Sequence, residues 1–197
     1  MKRILLMLTM CTLLFGTSCK NDKKDTTTID ESTEMTDSQM VQEEVTEMKK
    51  VQVALESRSN STAKGNVVFT EENGTVTMTA VVEGLKEGTH AIHIHEKADC
   101  SAADGTSAGG HWNPTNQPHG KWGSSDGYHK GDIGNMEADA DGNATVTITT
   151  DEWCIGCGDS NKDVLGHAII VHDGTDDFKT QPTGDAGGRI SCGGIIQ

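Results

Sequence analysis

His93 and His95 are separated by a single residue in the run Thr89-His90-Ala91-Ile92-His93-Ile94-His95-Glu96. In a strand, alternate side chains share a face, so these two imidazoles would stand side by side as half of a metal site. His111, His119, His129, His172 and Asp132 bring the candidate ligands to seven, leaving His90, on the opposite strand face, and His167 as structural residues. Seven nitrogen and oxygen donors exceed what one ion takes and point to two metals set close together.

His111 closes Ser107-Ala108-Gly109-Gly110-His111, His119 lies in Gln117-Pro118-His119-Gly120, and His129 with Asp132 lies in His129-Lys130-Gly131-Asp132. Three imidazoles and a carboxylate from one stretch make a tetrahedral set suited to zinc. His93 and His95, joined by His172 after Ile169-Ile170-Val171, make an all-imidazole set suited to copper, which accepts a distorted arrangement with an open position. Two four-coordinate ions served by seven residues must share one, and an imidazole can bridge because its ring has two nitrogens.

Such ligands need a scaffold. Alternation of apolar and polar residues predicts short half-buried strands over 51–55, 65–70, 75–81 and 144–149, with turns at Glu72-Asn73-Gly74 and Asp141-Gly142-Asn143. Apolar runs over 91–94 and 168–171 add two buried strands. With 23 glycines, few aromatic residues and no helix-period segment in the domain, the chain reads as an all-β sandwich or barrel. The segments 96–132 and 173–189 are too long for hairpins, and loops of that size in a compact domain are usually functional.

The formal charge is −14, and loss of residues 1–18 with Lys2 and Arg3 would take it to −16. A chain that acidic is not built for nonspecific binding to nucleic acid or to an anionic membrane surface. Lys2 and Arg3, the apolar run from Ile4 to Phe15 and Gly16-Thr17-Ser18 before Cys19 read as an export signal. The small residues directly before a cysteine resemble a bacterial lipoprotein cleavage site, at which Cys19 would become the lipidated first residue. An ordinary secretory signal cut near Cys19 and an uncut anchor are the alternatives, and all three put the rest of the chain outside the cytoplasm. Residues 19–50 are polar, acidic and free of aromatics, the composition of a disordered tether, which leaves 51–197 as one domain.

On its motifs the domain resembles the copper/zinc superoxide dismutases, in particular the bacterial periplasmic or lipoprotein-like type. The resemblance rests on His-Ile-His-Glu at 93–96, Ser-Ala-Gly-Gly-His at 107–111, His-Lys-Gly-Asp-Ile-Gly-Asn at 129–135, Val-His-Asp-Gly-Thr-Asp-Asp at 171–177 and Gly-Asp-Ala-Gly-Gly-Arg-Ile-Ser-Cys-Gly at 184–193. It implies a Greek-key, immunoglobulin-like sandwich or flattened β-barrel with two long functional loops. It also implies copper on His93, His95, His111 and His172, zinc on His111, His119, His129 and Asp132, and His111 as the bridge. Asp176 falls where the family has a carboxylate linking ligands of the two metals, and Arg189 where it has the guanidinium that attracts the substrate anion. Lys130 and Lys179 are weaker candidates for a positive approach.

The resemblance further implies a Cys100–Cys192 disulfide. Cys154 and Cys157, in Trp153-Cys154-Ile155-Gly156-Cys157-Gly158, depart from the family pattern; a local disulfide, soft-metal capture and an interchain bridge all stay open for them. The activity implied is conversion of superoxide to dioxygen and hydrogen peroxide, with Arg189 and His111 as the catalytic residues. A tethered copper- and zinc-binding protein for metal storage or delivery is the rival from another class, and the intact His119, His129 and Asp132 argue against a copper-only enzyme. The expected partners are superoxide and, through Cys19, a bacterial membrane on its periplasmic side or at the cell surface. Both monomer and homodimer are open.

Overall fold

The computed structural model describes residues 48–197; the expected signal over 1–18, Cys19 and the tether as far as residue 47 lie outside the described residues. Eight strands follow in the order β1 (Lys49–Ser57), β2 (Lys64–Glu72), β3 (Thr75–Glu83), β4 (Gly88–His95), β5 (Gly134–Ala138), β6 (Ala144–Thr150), β7 (Ala168–His172) and β8 (Arg189–Gly194). β1 opens at Lys49, two residues ahead of the expected domain start. Its partner β2 pairs Lys49 with Glu71.

All neighbouring strands are antiparallel, in the order β5-β4-β7-β8-β1-β2-β3-β6. The two end strands, β5 and β6, are joined by a tight turn in which the Asp139 N–H donates to the Asn143 carbonyl, so the sheet curls into a nearly closed barrel. The connections β3 to β4 and β6 to β7 each skip two strands around that barrel, a Greek-key pattern.

Alternation puts Val51, Val53, Leu55, Val67, Phe69, Val76, Met78, Ala80 and Val82 into the barrel interior, where they meet Ile92, Ile94, Ile169 and Val171. β4 and β7 are buried on both faces. One face of β4 sends Ile92 and Ile94 into the core, and the other carries His93 and His95 under the connecting loops. The two expected loops are present, as 96–133 and 173–188. A third long connection, 151–167, joins β6 to β7 and carries the Cys154–Cys157 pair. Cys100 is bonded to Cys192, and Cys154 to Cys157.

Candidate metal centre

The first long loop is stitched back onto β4 along its length. His111 forms a β-bridge with His95, the Trp112 N–H donates to the Ile94 carbonyl at 2.9 Å, and the Ile94 N–H donates to the Gly131 carbonyl at 2.9 Å. A Cβ on Gly131 would collide with the Ile94 carbonyl, so only glycine lets the backbone come this close. The stitching delivers His111, His129 and Asp132 to the face of β4 that bears His93 and His95. β7, paired with β4, brings His172 alongside.

Two groups of four ligand atoms result, each with its atoms within 4.8 Å of one another: His93, His95, His111 and His172, and His111, His119, His129 and Asp132. All are buried, and the sets meet at His111. Every residue expected as a ligand is therefore brought together. His90 and His167 stand apart, His90 bonded to the His172 and Lys86 carbonyls and His167 to the Glu96 carbonyl while stacking on Trp112.

The hydrogen bonds decide which nitrogen of each ring is free. His95 Nδ1 donates to the Gly109 carbonyl at 3.0 Å and His172 Nδ1 to the Gly187 carbonyl at 3.3 Å, leaving each Nε2 with a lone pair. Asp176 accepts from His93 Nε2 and His119 Nε2, both at 2.9 Å, leaving each Nδ1 free. His93 Nδ1, His95 Nε2, His111 Nε2, His119 Nδ1, His129 Nδ1 and His172 Nε2 are all buried without a hydrogen-bond partner. Buried polar atoms are rarely left so, and six converging imidazole nitrogens are the donor set a pair of metal ions requires.

The second set shows the same convergence. Asp132 Oδ1 lies 2.8 Å from His111 Nδ1, 3.0 Å from His119 Nδ1 and 3.2 Å from His129 Nδ1. The last two approach without hydrogen-bond alignment, as ligand atoms do when they point at a common centre rather than at each other. Asp132 Oδ2 is meanwhile fixed by the N–H groups of His129 at 2.8 Å and Gly120 at 3.1 Å.

Burial, reinforced by mutual repulsion of the rings, lowers His95 well below the ordinary range and takes His111 to about 4 and His172 to about 3. Burial also lowers His93, against the opposing pull of Asp176. These rings are neutral at neutral pH, the state in which imidazole binds metal. Burial pulls His119 down too, but Asp132 and Asp176 outweigh it and carry it up to about 9. Burial alone would raise the Asp132 and Asp176 carboxyls; the histidines facing them hold both far below the usual range.

Arg189, half-buried at the start of β8, donates from Nη1 to the Gly105 carbonyl at 2.9 Å. Its charge is near enough to contribute to the lowering of His95 and His172. Lys130 is not free to attract an anion, because Glu152 pairs with its ammonium. Lys179 is exposed.

Sequence reasoning missed the residues that hold Asp176 and His119. Asn135 exchanges two hydrogen bonds with the Asp176 backbone, at 2.8 and 2.9 Å, and Gln181 does the same for His119, at 2.8 and 2.9 Å. Gly184, at φ 70°, lies so close that a Cβ would collide with Asp176 Oδ1 and come within 2.6 Å of His119 Nε2.

Comparison with known proteins agrees with this geometry. Residues 63–195 match the family model described as copper/zinc superoxide dismutase. The chain is 39% identical over 144 residues to the extracellular superoxide dismutase [Cu-Zn] of Drosophila melanogaster, an alignment covering 69% of this chain and 77% of that protein. A crystal structure of a double mutant of a SOD-like protein from Bacillus subtilis is similar at a TM-score of 0.66 and 33% identity, over 74% of this chain and 97% of that one. With the family model spanning 63–195 and two clustered ligand sets sharing one histidine, this chain belongs to the copper/zinc superoxide dismutase family.

Proposed function

We propose that this protein is a superoxide dismutase that turns two superoxide anions and two protons into dioxygen and hydrogen peroxide. One observation carries the reading: the buried ring of His111 offers Nε2 to an all-imidazole set and Nδ1 to a set containing the carboxylate of Asp132. His93, His95, His111 and His172 are the copper ligands in this reading, and His111, His119, His129 and Asp132 the zinc ligands. Bound copper supplies one-electron chemistry by alternating between Cu(II) and Cu(I).

The chain's own residues do the rest. Arg189 draws in and orients the small anion, a role that matters more because the protein as a whole is acidic. His111, whose Nε2 has no hydrogen-bond partner, would be able to take up a proton at that atom whenever it is not engaged by the metal and give it up again to product. Asp176, bonded to one ring from each set, fixes the tautomers of His93 and His119 so that Nδ1 of each stays a ligand.

The extracellular character of the fly relative and the two disulfides support a location outside the cytoplasm. Within that location we assign 1–18 to a bacterial lipoprotein-type signal, Cys19 to lipidation, 19–50 to the tether and the remainder to the enzyme.

The test is direct measurement of superoxide consumption by the copper- and zinc-loaded protein across ionic strength. A rate constant on the order of 10⁹ M⁻¹s⁻¹ that falls with added salt is expected. Stoichiometric copper binding with negligible turnover would instead make this a metal storage or delivery protein.

A further inference from the structure

The Cys154–Cys157 pair is a group of metal-capable side chains that the dismutase reading does not use. Cys154 is buried, Cys157 is exposed, and the half-buried carboxylate of Asp163 has an oxygen within 4.8 Å of both sulfurs. We propose that, once the bridge is reduced, Cys154, Cys157 and Asp163 form a third metal site, separate from the buried histidine sets and suited to Zn²⁺. Two thiolates and a carboxylate leave the fourth tetrahedral position to water, on the side where Cys157 meets solvent.

The loop is held in shape by contacts that do not involve the disulfide. Trp153 and Ile155, on either side of Cys154, are buried in the main core. The Ile155 N–H donates to Glu71 Oε2 at 2.8 Å, and the Ile155 carbonyl accepts from Lys49 Nζ at 2.9 Å. Cys154 exchanges backbone bonds with Lys162 and Val164, at 2.8 and 3.0 Å. Asp163 is oriented by the N–H groups of Gly156 at 2.9 Å and Leu165 at 3.1 Å on Oδ1 and of Gly158 at 2.9 Å on Oδ2, so Oδ2 keeps a lone pair to spare. Opening the bridge therefore leaves both cysteine backbones in place. The sulfurs need only part to about 3.8 Å, the separation set by 2.3 Å zinc–sulfur bonds at a tetrahedral angle.

Charge selects a cation over thiol exchange. Residues 151–167 carry Asp151, Glu152, Asp159 and Asp163 against a single lysine, Lys162. Such surroundings disfavour a free thiolate, which makes the pair a poor exchange nucleophile, whereas a bound divalent ion draws the thiolates out. Opening the bridge takes two electrons and two protons, supplied by a dithiol reductant as it closes its own disulfide; binding Zn²⁺ then releases both thiol protons.

The test starts from holoprotein whose histidine sets are already filled, in a phosphine-reduced and an oxidised sample, each titrated with Zn²⁺ and separately with Cd²⁺. Reduced protein should take up one more ion per chain than oxidised protein, with thiolate-to-metal charge-transfer absorption in the Cd²⁺ titration. Cys154→Ser with Cys157→Ser should abolish the extra ion while superoxide turnover persists, and Asp163→Asn should weaken it at least tenfold. No extra ion in the reduced wild type, an extra ion without charge-transfer absorption, or the same uptake by the double serine variant would each overturn the proposal.

Discussion

Replacing Asp176 with asparagine keeps the shape of the side chain but changes its hydrogen-bonding character, and the effect on each metal follows from which rings rely on it. The carboxylate accepts from His93 Nε2 and His119 Nε2, and its Oδ1 also takes the Phe178 N–H at 2.7 Å. An amide has one acceptor and no charge; with His119 Nε2 and the Phe178 N–H both on Oδ1, the amide oxygen would take that position, His119 would keep only a neutral acceptor, and the NH₂ group would face His93 Nε2. That ring can relieve the donor–donor clash only by moving its proton to Nδ1, the ligand atom. The copper set would keep two anchored rings, His95 on the Gly109 carbonyl and His172 on the Gly187 carbonyl. In the zinc set, His119 is the ring that Asp176 steadies.

Loss of an outer partner of this kind lowers metal affinity by roughly 10–100-fold, about 1.4–2.8 kcal/mol. Each set has one ring that relies on Asp176, so both affinities should fall. Competition against a chromophoric chelator gives the zinc affinity, and the copper spectrum of the same sample reports the other site. Wild-type affinity for both metals in Asp176→Asn would refute the argument.

Gly184→Ala should reproduce part of that phenotype without replacing a ligand, because its Cβ would press on Asp176 and His119 from a backbone at φ 70°. Zinc affinity should fall and stability should drop by about 1–3 kcal/mol, both measurable on one preparation by chelator competition and denaturant melts. Arg189→Ala should slow superoxide turnover at least tenfold at low salt and flatten its salt dependence with both metals retained; an unchanged low-salt rate would remove Arg189 from the mechanism. The metal-free protein should be most stable near pH 6.5. His111 and His172, lowered to about 4 and 3, withdraw stability as the pH falls from 6.5 toward those values, whereas His119, raised to about 9, withdraws it as the pH rises from 6.5 to 9. A metal-free melting temperature that climbs steadily from pH 4.5 to 9 would contradict this.

The residues of the two clusters were legible in the sequence because their side-chain type carries the chemistry. A His-x-His on a strand has one geometric consequence, and Asp132 three residues after His129 can fold back to accept the His129 N–H. Asn135 and Gln181 were not legible, since they act through backbone bonds to Asp176 and His119, 41 and 62 residues away, and a surface amide gives no sign of its partner. Strands showed wherever alternation was sustained. β5 and β8 did not show because they are short and glycine-containing; at Gly193 the missing Cβ is what lets β8 approach the Ala54 carbonyl of β1. Lys130 was misjudged for a related reason. Its position in sequence suggests a charge beside the site, but Glu152, brought over on the third loop, takes up that charge.

That the centre violates the ordinary rules of a protein interior explains why so much structure surrounds it. Buried imidazole nitrogens without partners would each cost about 1–3 kcal/mol in the absence of metal, and the carboxylates of Asp132 and Asp176 sit fully buried among them. A site with those liabilities would relax by swinging its imidazoles toward water unless the backbone prevented it. Here the loop is pinned to β4 at Trp112 and Gly131 and tied to β8 through Cys100 and Cys192, while the rings are locked by carbonyls at Gly109 and Gly187 and by Asp176. Metal ions that bind only the folded form then return the deficit as stability. The scaffold's rigidity and the ligands' frustration are thus one design, because a centre able to satisfy itself without metal would have less reason to hold any.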